Sequence, residues 1–278
     1  MNADALITLA GYSLAIVAAS LLGGWLPAMV RMTHTRTQIV MSFVAGLMLG
    51  VALYHLLPHG ILQLESIQGT AAALDTAVWW VMLGMIAMLL LLRLFHFHQH
   101  DFSHEEHEHH DTGTHPLSWV GLALGLGLHT LIDGVALGAS IKAGLLQHDG
   151  AALVGLGVFL AILLHKPLDA LSITSLMQAG GWNSRARTIA NITFAMMCPL
   201  GALLFFWGVD GMGVMEVIVV GSALAFSAGV FLCISLGDLL PEVHFHSHDR
   251  FKLTFSFLVG IGLAYGLRFL EPGVLHPI

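Results

Sequence analysis

The chain has 278 residues, of which 56% are hydrophobic and only 10% charged. Soluble domains carry roughly a quarter of their residues as charges, so this one cannot clothe a water-facing surface and reads as an all-α integral membrane protein. Its formal net charge of −7 belongs to the loops, and no basic tract interleaved with aromatics points to nucleic acid.

Apolar runs lie near residues 5–27, 38–62, 74–95, 118–141, 151–178, 187–208, 214–240 and 252–270. A membrane span needs about 20 apolar residues, and the runs predict eight transmembrane helices in a single domain, 1–278. The N-terminal MNADALITLA lacks the basic start of a signal peptide, so the first run reads as a retained helix. With the N-terminus outside, the inner loops hold Arg31, Arg36, Arg93, Arg185, Arg187, Arg250 and Lys252, against Lys142 and Arg268 outside. That positive-inside bias predicts extracytoplasmic termini.

The second run carries Met48 and ends in YHLLPHG, with His55 and His59 toward the outside. His55 either hands metal inward or is an inert interfacial histidine. Between the third and fourth runs lies a cytoplasmic histidine-rich loop, 96–116, with His96, His98, His100, His104, His107, His109, His110 and His115. Such tracts bind metal by composition, and this one lacks a core-forming pattern. It reads as a weak, exchangeable metal sink.

Intramembrane charges are costly and by default mark a function. The fourth run reads HTLIDGVALG, with His129 and Asp133; the fifth reads LLHKPLDALS, with His165, Lys166 and Asp169. Each His-x-x-x-Asp lies on one helix face. One such pair is an ordinary core hydrogen bond, but two in adjacent helices predict a metal site. Imidazole and carboxylate together suit Zn, Fe and Mn, and two carboxylates balance one divalent cation. Gly121 and Gly125 of the fourth run form a G-x-x-x-G spacing for close helix approach. Pro167 and Pro199 each remove a helix hydrogen bond beside the candidate site. Cys198 and Cys233 lie in apolar runs, so no disulfide framework is indicated. The seventh run ends with Asp238 and Glu242, again four apart, followed by His244, His246 and His248.

HTLIDGVALG and LLHKPLDALS resemble the fourth- and fifth-helix signatures of the ZIP (Zrt/Irt-like) metal transporters. GLMLGVALYHLLPHG and FSAGVFLCISLGDLLPE are similar to that family's second and seventh helices. The resemblance implies His129, Asp133 and Asp169 as metal ligands, with His165 lining the same cavity. Met48 falls where bacterial members place a thioether ligand, though a buried methionine is as readily core filler. Some members hold a second metal, using positions occupied here by Lys166, Cys198 and Thr130. The chain therefore reads as a single-metal carrier in which the Lys166 ammonium, paired with Asp133 or Asp169, stands in for the second ion. Cys198 is a soft ligand or a small hydrophobe.

The resemblance further implies uptake of zinc, with Cd2+, Fe2+ or Mn2+ as further candidates, toward the cytoplasm by alternating access. Helices 1, 4, 5 and 6 would move against 2, 3, 7 and 8, in a homodimer of the plasma (inner) membrane. Zinc is then cargo rather than cofactor, and the lipid bilayer and the ion are the partners. The rivals are a membrane zinc hydrolase, which lacks a Ser/His or HExxH motif here, and a metal exporter or storage protein.

Overall fold

A long apolar chain in lipid must satisfy its backbone groups internally, and helices do so within one segment. The computed structural model describes residues 3–29, 34–95, 118–146, 154–239 and 250–270, and every regular element among them is helical. In chain order these are α1 (Ala3–Met29), α2 (His34–Val51), α3 (Leu57–Gln68), α4 (Thr70–Phe95), α5 (Ser118–Leu146), α6 (Leu156–Ala179), α7 (Ser184–Gly208), α8 (Val214–Ile234) and α9 (Arg250–Leu267). A π-helical turn, Ala52–Leu56, joins α2 to α3, and a second, Ser235–Leu239, follows α8. Among the described residues, eight helical stretches are long and apolar enough to cross a membrane, the second running from Thr35 to Gln68 through the π turn.

Both π turns stand two residues before a proline, Pro58 and Pro241. Proline cannot donate to the helix ladder; at the first turn the ladder widens, and Leu57 N–H donates to Ala52 O five residues back. His55 lies on the first of these turns and Asp238 on the second.

The helices pack in two sets. α1 lies along α6 and α7, and α5 along α7; α2 lies along α9, while α3 and α4 pack on α8. The sets meet chiefly where α8 crosses α5 and where α2 touches α6. One close approach within the first set is at Gly134 of α5, where a Cβ would collide with the Cys198 carbonyl of α7. One turn on, a Cβ at Gly138 would stand 2.7 Å from Ala202 O. These glycines hold the α5 backbone against α7 at the level of Asp133.

One expectation changes. The fourth apolar run ends at residue 141, which left Lys142 in an outer loop, yet α5 continues to Leu146 and Lys142 is 4% exposed. Ala143, Gly144, Leu145 and Leu146 prolong the apolar pattern, and carboxylates from the α7–α8 connection and the start of α8 meet the ammonium.

Candidate metal site

Helical spacing sets the donors. His129 and Asp133 project from one face of α5, and His165 and Asp169 from one face of α6. Asp133 and His165 both fall near the middle of their spans. One ligand atom from each of the four residues lies within 4.8 Å of all the others. His129 Nε2 is 3.4 Å from Asp133 Oδ2 and 3.7 Å from Asp169 Oδ2. His165 Nε2 is 3.2 Å from Asp133 Oδ2 and 3.7 Å from Asp169 Oδ2. Zinc bonds N and O at about 2.0–2.2 Å in a tetrahedron, whose edges are then about 3.4 Å. Four of the six separations bracket that edge and the other two lie within 4.8 Å, so the donor set could close on such an ion.

The shell behind these atoms orients them. His165 Nδ1 donates to Ala161 O at 2.7 Å; a carbonyl only accepts, so neutral His165 keeps its lone pair on Nε2. That lone pair faces the Asp133 oxygen. Two electron-rich atoms so close repel unless a cation lies between them, and the site is therefore arranged for positive charge. Phe231 of α8 meets the His165 ring edge-on with centroids 6.3 Å apart, closing the site with an apolar wall from the other helix set.

In the structure the positive charge is Lys166. Its Nζ donates to Asp133 Oδ2 at 2.5 Å, Asp169 Oδ2 at 2.9 Å and Thr130 Oγ1 at 3.1 Å, which uses its three protons, and lies 3.4 Å from His165 Nε2. Both carboxylates pair with it, where the sequence suggested one or the other. The side chain is 1% exposed, so its stem does not reach for an interface. Two polar atoms here stay without a hydrogen-bond partner, Asp133 Oδ1 and His129 Nδ1, both buried.

The remaining candidates are buried in the helix bundle or lie outside the described residues. Cys198 is a free, fully buried thiol in the main apolar core, outside the four-residue group, which favours the small-hydrophobe alternative. Met48 is buried in the same core. His55 is 1% exposed and its Nε2 donates to Ala264 O of α9 at 2.8 Å, while its ring packs against Gly157 of α6. Gly157 is eight residues before His165, about 12 Å along the helix. Glu242, His244, His246, His248 and the loop histidines His96, His98, His100, His104, His107, His109 and His110 lie outside the described residues, as does the side chain of Asp238.

A second charged cluster escaped the sequence reading. Lys142 Nζ donates to Asp210 Oδ1 at 2.6 Å and to Glu216 Oε1 at 2.8 Å. Gly211 N–H donates to Glu216 Oε2 at 3.2 Å, and the ammonium lies 4.8 Å from the centroid of the Phe206 ring. The only sequence signal was a glutamate two residues into an apolar run.

Comparison with known proteins gives the family. The family model described as ZIP Zinc transporter matches residues 6–117 and 95–268. Zinc transporter ZIP9-B of Xenopus laevis is 36% identical over 156 residues, covering 53% of this chain and 46% of that protein. Zinc transporter ZIP9-A of Xenopus laevis is 27% identical over 296 residues, covering 93% and 90%. Zinc transporter ZIP1 of Homo sapiens is 31% identical over 153 residues, covering 54% and 44%. The chain thus spans under half of two of these relatives and nearly all of the third. With the family match running through all eight helical spans and both His-x-x-x-Asp helices, this integral membrane chain belongs to the ZIP zinc transporter family.

Proposed function

We propose that the chain moves a divalent metal cation, zinc foremost, across its membrane toward the cytoplasm, binding it between His129, Asp133, His165 and Asp169. The observation that carries this is the convergence of two imidazoles and two carboxylates within 4.8 Å at mid-span. Two carboxylates meet the charge of a divalent ion, and neutral imidazoles complete a borderline-soft donor set suited to zinc. The relatives are named zinc transporters, which supports transport over hydrolysis. Met48 is the candidate for a further, thioether position. His55, about two turns along α6 from His165, lies on the entry side; Asp238 and Glu242 lie on the exit side.

Transport requires the site to open to one face at a time. The division into two packed helix sets supports a cycle in which α1, α5, α6 and α7 carry the ion past α2, α3, α4, α8 and α9. Moving Lys142 from a loop into α5 leaves Arg268 as the sole basic residue assigned to the outer side, which strengthens the case for extracytoplasmic termini. The same reading places the protein as a homodimer in the plasma (inner) membrane, with the histidine loops buffering arriving metal on the cytoplasmic side.

The test is radioactive or fluorescent zinc flux into sealed vesicles, with Cd2+, Fe2+ and Mn2+ as competitors. His129→Ala and Asp133→Ala are each expected to abolish saturable uptake. Unchanged flux in both would overturn the site, and flux only in the outward direction would favour the exporter reading.

A further inference from the structure

A metal site with a lysine beside it is unremarkable; here the lysine sits on the metal's own donor atoms. Of the four atoms that would bind the ion, Lys166 Nζ donates to two, Asp133 Oδ2 and Asp169 Oδ2, and lies 3.4 Å from a third, His165 Nε2. The ammonium and a metal ion therefore cannot both take these positions. Resting on the metal-transport reading above, we propose that Lys166 is an internal competitor of the cargo: its ammonium occupies the empty site, withdraws when the metal binds, and returns when it leaves.

The structure offers the withdrawn ammonium somewhere to go. Thr130 Oγ1 already accepts from Nζ at 3.1 Å, and its own hydroxyl proton is committed to Leu126 O at 2.7 Å, so it presents a lone pair. The face of Phe194 on α7 lies 5.5 Å from Nζ, and aromatic faces attract cations. A small swing of a four-carbon stem toward Thr130 and Phe194 clears the carboxylates without taking the charge out of the pocket.

Charge explains why such a device helps. Two bare carboxylates buried in a membrane are expensive, so a carrier that has released its ion resists reorientation. With Lys166 in place the empty site carries one net negative charge and the site loaded with a divalent ion one net positive charge. Neither half of the cycle moves a doubly charged centre. The ammonium also weakens equilibrium binding, which favours release. Lys166 is thus a positioning residue for the empty carrier rather than a ligand.

The experiment compares the full-length wild type with Lys166→Met and Lys166→Gln. Zinc-ion affinity is read in nanodiscs against a chelating dye; net uptake into metal-free vesicles and zinc-for-zinc exchange are read in proteoliposomes. Lys166→Met is expected to bind zinc tighter by about tenfold or more. Net uptake should fall by a similar factor while exchange, which never passes through the empty carrier, stays near wild type. A merely structural lysine would lower affinity and both fluxes together, and that result overturns the inference. Should neither variant fold, the wild-type chain still decides: lysine-labelled 15N NMR must show the Lys166 ammonium signal shift on zinc saturation, and an unmoved signal overturns the inference. If the wild type binds no zinc, the metal reading itself falls; if it binds and Lys166→Met gains nothing, only the lysine inference falls.

Discussion

Two lysines are buried in this membrane protein, and their surroundings differ in two respects. Each ammonium meets two carboxylates and lies near an aromatic ring of α7: Lys166 meets Asp133 and Asp169 near Phe194, and Lys142 meets Asp210 and Glu216 near Phe206. The carboxylates of Lys166 are shared with two imidazoles, and those of Lys142, among the described residues, are not. Lys166 and its partners all stand on helices of one packed set, whereas Lys142 on α5 reaches Glu216 on α8 across the seam between the sets. A lysine whose partners have other suitors is placed to be displaced; a lysine whose partners have none fastens two bodies together.

Removing a shared carboxylate should have the largest effect. Asp133 Oδ2 touches both histidines and Lys166. Asp133→Asn is expected to lower zinc affinity by more than roughly a hundredfold, the upper end for losing an outer-shell partner of a metal site, and to abolish net uptake. Thermal unfolding should also fall, because Lys166 keeps only Asp169. Retention of near wild-type zinc affinity in this variant would erase the distinction between the two lysines.

The second cluster should respond in stability and not in affinity. Lys142→Met leaves Glu216 buried without its cation, and breaking a buried pair in this way costs about 3–5 kcal/mol. Its zinc affinity in nanodiscs should stay at the wild-type value. Replacing both ends, Lys142→Met with Glu216→Met, should regain most of the lost stability, since an apolar pair packs well where the ions stood. The residual deficit should be about 1 kcal/mol for the Gly211 N–H left without its acceptor. A large affinity change in Lys142→Met would mean that the two clusters are coupled.

The contrast also shows what a sequence exposes. The eight spans were readable because lipid imposes the same apolar length on every helix, and both His-x-x-x-Asp pairs because four residues return to one helix face. Lys142 was not readable. Its partners are 68 and 74 positions away in sequence, and no periodicity links them to it. The lone pair on His165 Nε2 depends on a hydrogen bond to its own helix at Ala161 O, a local geometry that residue identity does not announce. Cys198 could be read as a soft ligand or a small hydrophobe; α5 meets the backbone there through Gly134, and the residue packs in the apolar core. Lys166 was legible as a paired cation. That it sits on the metal's own oxygens was visible only in three dimensions.

The smallest effect belongs to the exposed end of the second cluster. Asp210 lies between α7 and α8 with its side chain 48% exposed, and its hydrogen bond to the Lys142 ammonium, with the charge behind it, holds its carboxyl below the usual aspartate value. The sign follows from linkage: a depressed folded-state value means that ionised Asp210 stabilises the fold above the unfolded value of about 3.9, and that the contribution disappears as pH falls through the lower folded value. Asp210→Asn should therefore unfold at a slightly lower temperature than wild type at any pH above about 5, with a constant gap. Below about pH 4 the gap should close as wild-type Asp210 takes up its proton. Solvent screens this pair, so the gap should also shrink in high salt, whereas the loss in Lys142→Met, set by a buried Glu216, should not. Equal salt sensitivity in the two variants would show that Asp210, and not Glu216, carries the seam.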